Sequence, residues 1–167
     1  QDYKLFALPL KDNVALALPM DEEKFIKTYM GGLAKTMAPF GYDPQQLVKT
    51  VWAGTKAMIA NDGTKTNEQV FWDVYTQVYG LEKRTDEAIF AKFYQNDFAI
   101  TKSACGFNEK VPPLMEKLKQ LGLKIIIATN PFFPQMATRQ RLTWAGLNPN
   151  DFALVTTYEN SRFCKPN

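Results

Sequence analysis

Residues 123–130 have the sequence LKIIIATN, and residues 152–157 have the sequence FALVTT. Both begin as apolar runs, and the first is rich in β-branched residues, which is typical of a strand buried on both faces. Between them, residues 134–145 follow a helical pattern, with Pro134 near its start and Gly146 just past its end. A strand, a helix and a strand at this spacing predict a right-handed crossover in a parallel sheet. This stretch therefore predicts an α/β fold.

A second part of the chain, residues 21–96, has apolar and aromatic residues at helical spacing. This spacing favours packing in a core over the lining of a substrate pocket, and it predicts a block of helices. A further helix is predicted from Pro112 to the stop at Gly122. The residues predicted to cap helices in the block are Asp21, Asp43 (followed by Pro44), Thr66 (with Gln69 at the third helical position) and Thr85.

The composition excludes several kinds of chemistry. The chain has 167 residues and no histidine, which removes the Ser-His-Asp triad, His-ligated zinc and any histidine base. The net charge of +3 is too small and too dispersed to favour a nucleic-acid partner or an anionic membrane. Acid–base work would fall to Asp, Glu, Lys, Tyr or Cys. The length predicts one domain, or one domain with a small insert.

The two cysteines indicate the compartment of the protein, and the first residues indicate whether the chain enters a membrane. Cys105 and Cys164 are too few and too far apart for a disulfide framework or a zinc site, which predicts reduced thiols in the cytoplasm. The apolar stretch Leu5–Pro19 is interrupted by residues 11–13, which are Lys, Asp and Asn, so it is too short to span a bilayer. The runs Leu5–Leu10 and Val14–Leu18 predict one or two short strands instead.

Polar residues stand where the best predicted strand ends. Thr129 and Asn130 follow Ala128 directly, and in an open α/β sheet ligands bind beyond the carboxyl ends of the strands. A hydroxyl, an amide and free backbone N–H groups near a helix start suit a phosphate, although Thr, Asn and Pro are also common turn residues. Lys165 comes after the next strand, where a lysine is able to reach back over the same edge and neutralise an anion. We therefore expect a phosphate site at this edge.

Thr129 and Asn130 after one strand, and Lys165-Pro166 after the next, resemble the second and third motifs of the haloacid dehalogenase superfamily. Residues 21–96 resemble the helical cap that many members insert after their first motif. The resemblance implies a three-layer, Rossmann-like parallel sheet with an inserted helical cap. It divides the chain into an α/β core (1–20 and 97–167) and a cap (21–96).

The family resemblance also implies a mechanism. Members use an Asp at the end of the first strand as a nucleophile that forms an aspartyl-phosphate, with Mg²⁺ bridging nucleophile and phosphate. In this chain the implied roles are Asp12 as nucleophile and metal ligand, Thr129 and Asn130 as phosphate binders, and Lys165 as the residue that stabilises the charges. Such chemistry consists mostly of positioning and charge neutralisation, and it needs no histidine. The implied ligands are Mg²⁺ and a small phosphorylated metabolite, with no nucleic acid and no membrane; the oligomeric state is open.

The chain departs from the family pattern at its first and fourth motifs. In the register that makes Asp12 the nucleophile, Val14 replaces the usual second Asp; a register through Phe6–Pro9 loses both carboxylates. Asp62-Gly63-Thr64 resembles a fragment of the first motif but follows a helical segment, so we interpret it as a turn. The acidic fourth motif would lie beyond Asn167, which leaves a fragment, a lost metal site or a partner as explanations.

These observations leave three hypotheses open. The first is a magnesium-dependent phosphatase that acts through an aspartyl-phosphate. The second is a related domain that binds a ligand or a protein without turnover. The third is an α/β domain of another family, which the poor first motif keeps open.

Overall fold

The computed structural model describes residues 20–165. Met20 forms an isolated antiparallel bridge with Cys105. None of the helices in the described range is both long enough and apolar enough to cross a bilayer. The α-helices and strands are α1 (Glu22–Met37), α2 (Pro44–Ile59), α3 (Asn67–Tyr79), α4 (Glu87–Lys92), α5 (Val111–Gln120), β1 (Ile126–Ile127), α6 (Gln135–Trp144) and β2 (Leu154–Val155). Short 3₁₀ segments at Ala38–Phe40, Leu81–Asp86, Phe98–Ala104 and Pro149–Asp151 and a π-helix at Phe93–Asp97 complete the helical structure.

Three of the four predicted helix caps are confirmed. Asp21 accepts a hydrogen bond from the backbone N–H of Lys24 at 2.9 Å, and Asp43 accepts one from that of Gln46 at 2.7 Å. Thr66 and its partner at the third position form a complete capping box. The prediction for Thr85 is wrong, because its hydroxyl donates back to the carbonyl of Glu82 within a 3₁₀ segment. The next α-helix begins at Glu87, without a side-chain cap.

The helices pack around an aromatic core, as their spacing predicts. The rings meet mostly edge to face, at centroid distances near 5 to 6 Å, which is a favoured arrangement for aromatic pairs. The same buried cluster continues beyond residue 96 to Ala137 and Cys164, so the helical block and the described residues after it share one core. Its buried aromatic members are Phe25, Tyr29, Tyr42, Phe71, Trp72, Tyr75, Phe90, Phe93, Tyr94 and Phe98.

The predicted three-layer, Rossmann-like sheet is wrong. Residues 20–165 contain a sheet of only two short parallel strands, with Ile126 opposite Leu154, and most of that range is helical. The parallel pairing of the two apolar runs is confirmed, but burial on both faces is not. Ile126 is 53% exposed and Leu154 is 45% exposed. An apolar run indicates that a segment tends to form a strand. It does not indicate how many neighbouring segments cover that strand, because these segments come from elsewhere in the chain. The strands predicted before residue 19 lie outside the described residues.

Candidate functional site

The candidate site lies at the edge of the sheet where β1 and β2 both end. Because the strands are parallel, the residues that follow them, Thr129 and Thr156, meet at this edge. The backbone N–H of Thr129 donates to the Thr156 hydroxyl at 2.7 Å, and the Thr129 hydroxyl donates to the Thr156 carbonyl at 2.6 Å. The hydroxyl proton of Thr129, predicted to face a phosphate, is therefore used to join the two strand ends.

Asn130 and Lys165 are brought together at the same edge. The backbone N–H of Lys165 donates to Asn130 Oδ1 at 3.2 Å, and Lys165 Nζ donates to the carbonyl of Ala128 at 2.9 Å. The lysine thus lies back over the end of β1, and both side chains are exposed. An ammonium group has three N–H donors and an amide has two, so most of these donors stay available to a ligand.

The start of α6 offers fewer free backbone N–H groups to a phosphate than the sequence predicts. The backbone N–H of Gln135 donates to both carboxylate oxygens of Glu159, at 2.8 and 3.1 Å. A carboxylate of the chain itself therefore occupies the position where the helix dipole favours an anion. The phosphate donors left at the sheet edge are the side chains of Asn130 and Lys165 rather than this helix end.

Neither cysteine is placed to act as a nucleophile. Cys164 directly precedes Lys165 and is 1% exposed. Burial raises the pKa of its thiol, and burial also raises the pKa of the Cys105 thiol. The thiolate is the reactive form of cysteine, so both side chains are protonated and unreactive near neutral pH. Both are free thiols, as predicted.

Sequence reasoning missed the contribution of the α2–α3 loop and of Asn67, the first residue of α3. The backbone N–H of Asn67 donates to the Ser161 carbonyl at 2.8 Å, and that of Glu68 donates to the Tyr158 carbonyl at 2.9 Å. The first turn of α3 is therefore bound to the loop that leads to Lys165. In the sequence Asn67 looks like an ordinary first helical residue, so only its position after the Thr66 cap singles it out.

Residues 62–64 form a turn, as we interpret them from sequence, and that turn packs on the site. Asp62 accepts hydrogen bonds from the backbone N–H and the hydroxyl of Thr64 at 2.9 and 2.7 Å. Arg162 donates to the carbonyl of Gly63 at 3.1 Å. The segment is thus part of the support for the loop before Lys165, and not a strand-end motif.

Within residues 20–165, no group of three or more His, Cys, Asp or Glu side chains is placed to hold a metal ion. Mg²⁺ prefers carboxylate oxygens, whereas the sheet edge carries an amide and an ammonium group, which suit an anion. Asp12, the predicted metal ligand and nucleophile, lies outside the described residues. The magnesium prediction stays a prediction.

Comparison of the chain with family models, with curated proteins and with solved structures finds no match. Any functional proposal therefore depends on the residues at the sheet edge and on the sequence resemblance alone.

Proposed function

We propose that this chain is a cytoplasmic hydrolase of a small phosphorylated metabolite, whose phosphate group binds at the end of β1. The observation that carries the proposal is the convergence of Lys165 and Asn130 at this edge, across 35 residues of sequence. These are the residues that carry the sequence resemblance to the haloacid dehalogenase superfamily. The free thiols of the described chain are in keeping with a reducing compartment.

The chemistry of the edge favours a phosphate over a cationic ligand. Lys165 supplies a full positive charge on an exposed side chain, and Asn130 supplies amide N–H donors beside it. Hydrogen bonds between charged donors and phosphate oxygens are short and stronger than neutral ones. Thr129 has a different role in this proposal: it holds the ends of β1 and β2 together.

The proposed reaction has two steps. A carboxylate oxygen of Asp12 forms a bond to phosphorus as the ester P–O bond breaks, and the leaving alkoxide takes a proton from solvent. Water then attacks phosphorus as the bond between phosphorus and the Asp12 oxygen breaks, and a proton of this water passes to solvent. Inorganic phosphate is released and the carboxylate is restored. Lys165 contacts the phosphoryl oxygens and neutralises part of their charge in both steps. Asp12 and Lys165 are thus the proposed catalytic residues, and Asn130 binds the phosphate.

The test is release of inorganic phosphate from p-nitrophenyl phosphate by the full chain, with and without added Mg²⁺. We expect Asp12→Asn to abolish turnover and Lys165→Met to reduce it by about tenfold or more, which corresponds to the loss of about 1.4 kcal/mol or more of transition-state stabilisation. The matched control is Lys117→Met, an exposed lysine on α5 that should retain full activity. Turnover that survives Asp12→Asn would remove Asp12 from the mechanism.

A second candidate function is phosphate binding without turnover. It is favoured because the described residues place an amide and an ammonium group at the edge but no cluster of metal-binding side chains. Titration of the chain with inorganic phosphate in a calorimeter separates the two candidates. Binding that weakens in Lys165→Met, without phosphate release from the ester, would support this second function. An absence of both binding and turnover would refute both candidates.

A further inference from the structure

Two loops carry the candidate site, and one residue of the helical block contacts both. We call residues 129–133 the first site loop and residues 158–165 the second site loop. Asn67 Nδ2 donates to the carbonyl of Pro131 in the first site loop at 3.3 Å and to the sulfur of Cys164 in the second at 3.4 Å. Pro131 directly follows Asn130, and Cys164 directly precedes Lys165. Asn67 therefore joins the neighbours of both phosphate-binding residues.

The position of Asn67 is itself closely determined. Its side chain is 0% exposed, so water does not replace a lost hydrogen bond there without rearrangement. Its Oδ1 accepts from Asn61 Nδ2 at 2.8 Å, and that amide also donates to the carbonyl of Lys65 at 3.0 Å. The backbone N–H of Asn67 is bound to Ser161. Both ends of the side chain are thus held, one by the α2–α3 loop and one by the site.

The same α2–α3 loop contacts the second site loop at Phe163. Gly63 has a φ of +85°, and a Cβ on it would lie 2.2 Å from Phe163 Cζ, so the loop backbone lies directly against this ring. Arg162 donates to the same segment. Several interactions therefore join the helical block to the second site loop. Among the hydrogen bonds of residues 20–165, only those of Asn67 connect the helical block to both site loops.

We propose that Asn67 is a positioning residue that sets the separation of Asn130 from Lys165, and that the helical block thereby controls phosphate affinity at the sheet edge. This inference rests on the proposed phosphate site. Movement of α3 relative to β1 would change the distance between the two donors that face the ligand. The alternative is that Asn67 is only a satisfied buried amide, whose removal destabilises the whole chain without any specific effect on the site.

A double-mutant cycle distinguishes these alternatives. Asn67→Leu removes the side-chain hydrogen bonds, and Lys165→Met removes the charge that Asn67 is proposed to position. We expect each single change to weaken binding of inorganic phosphate by about tenfold, and the double variant to lose little more than Lys165→Met alone. A general structural role instead predicts that the two losses multiply. The matched control is Thr50→Val, which removes a buried hydroxyl within α2, far in sequence from both site loops. It should leave phosphate binding unchanged, both by itself and when combined with Lys165→Met.

A second measurement tests the positioning without a ligand. In Asn67→Leu we expect amide hydrogen exchange of both site loops to increase, relative to the unchanged exchange of α1, whereas Thr50→Val should leave the site loops as they are. Unchanged exchange in the site loops, or multiplicative losses in the cycle, would overturn the inference. If the unaltered chain does not bind phosphate, the proposed function fails, and exchange alone decides whether Asn67 joins the loops. If Asn67→Leu does not fold, Asn67→Asp keeps the shape of the side chain while removing its donors.

Discussion

Tyr75 and Tyr79 lie one turn apart on α3, and both hydroxyl groups are buried, but only that of Tyr75 has a hydrogen-bond partner among the described residues. The hydroxyl of Tyr75 donates to Asp86 Oδ2 at 2.8 Å in the core, and Tyr42 donates to the same oxygen. Burial holds the pKa of Tyr75 above its usual value, so the hydroxyl stays protonated and continues to donate. The hydroxyl of Tyr79 is also buried but has no hydrogen-bond partner within the described part of the chain.

Replacement of each tyrosine by phenylalanine is therefore expected to have different effects. Tyr75→Phe removes a hydrogen bond to a buried carboxylate, which costs about 1.5–3 kcal/mol of unfolding free energy. Tyr79→Phe removes a buried hydroxyl that makes no hydrogen bond within the described residues. The free energy of unfolding should therefore stay the same or rise by up to about 1 kcal/mol. Both changes delete one oxygen atom and leave the ring packing in place, so each variant is the matched control for the other.

The assay is equilibrium unfolding in urea, followed by circular dichroism of the helices. With a slope of about 2 kcal/mol per molar urea, Tyr75→Phe should lower the midpoint by about 1 M, and Tyr79→Phe should leave it unchanged or raise it slightly. Equal decreases in the midpoint for the two variants would refute the reasoning, because the loss would then come from ring packing or local helix stability rather than from the bond to Asp86.

Two further predictions concern a carboxyl group and a turn. Burial and neighbouring carboxylates hold the pKa of Glu68 above its usual value, so the folded state binds this proton more tightly than the unfolded state does. The stability contributed by Glu68 therefore rises as the pH falls from 7 through that raised pKa. Glu68→Gln should raise the Tm at pH 7, and this gain should vanish towards about pH 4. An equal gain in Tm at both pH values would contradict the prediction. Gly41 and Gly63 both have positive φ, but only a Cβ at Gly63 would meet Phe163. In urea unfolding Gly41→Ala should cost about 1 kcal/mol and Gly63→Ala more, and equal costs would count against the contact.

The helix starts were predictable because their determinants are local. Asp21, Asp43 and Thr66 each bond to a backbone N–H three residues ahead, so cap and partner are adjacent in the sequence. Thr85 shows where this reasoning fails. Its side chain also has a local partner, but that partner is the carbonyl three residues behind it, and the chain there continues as a 3₁₀ segment. The identity of a capping residue indicates that a hydrogen bond forms, but not in which direction along the chain.

The extent of the sheet was not predictable in the same way. The sequence LKIIIATN correctly predicts a strand that pairs in parallel with the next apolar run. It does not indicate what covers the strand, and in the described residues Ile126 is more than half exposed. Burial on two faces requires partners from distant segments, so the physical reason for the error is that strand propensity reflects the segment itself, whereas burial reflects its neighbours.

The candidate site, like the sheet, was only partly predictable from the sequence. From the sequence alone we expect a hydroxyl, an amide and a lysine near the ends of two strands, because parallel strands end at one edge. Only the tertiary structure shows that the Thr129 hydroxyl is bound to Thr156, that Glu159 occupies the start of α6, and that Asn67 joins the two site loops. Each of these contacts pairs residues between 24 and 97 positions apart. Residue types and local spacing determine which groups are able to bond, but the packing of the helices on the strands determines which partner each group finds.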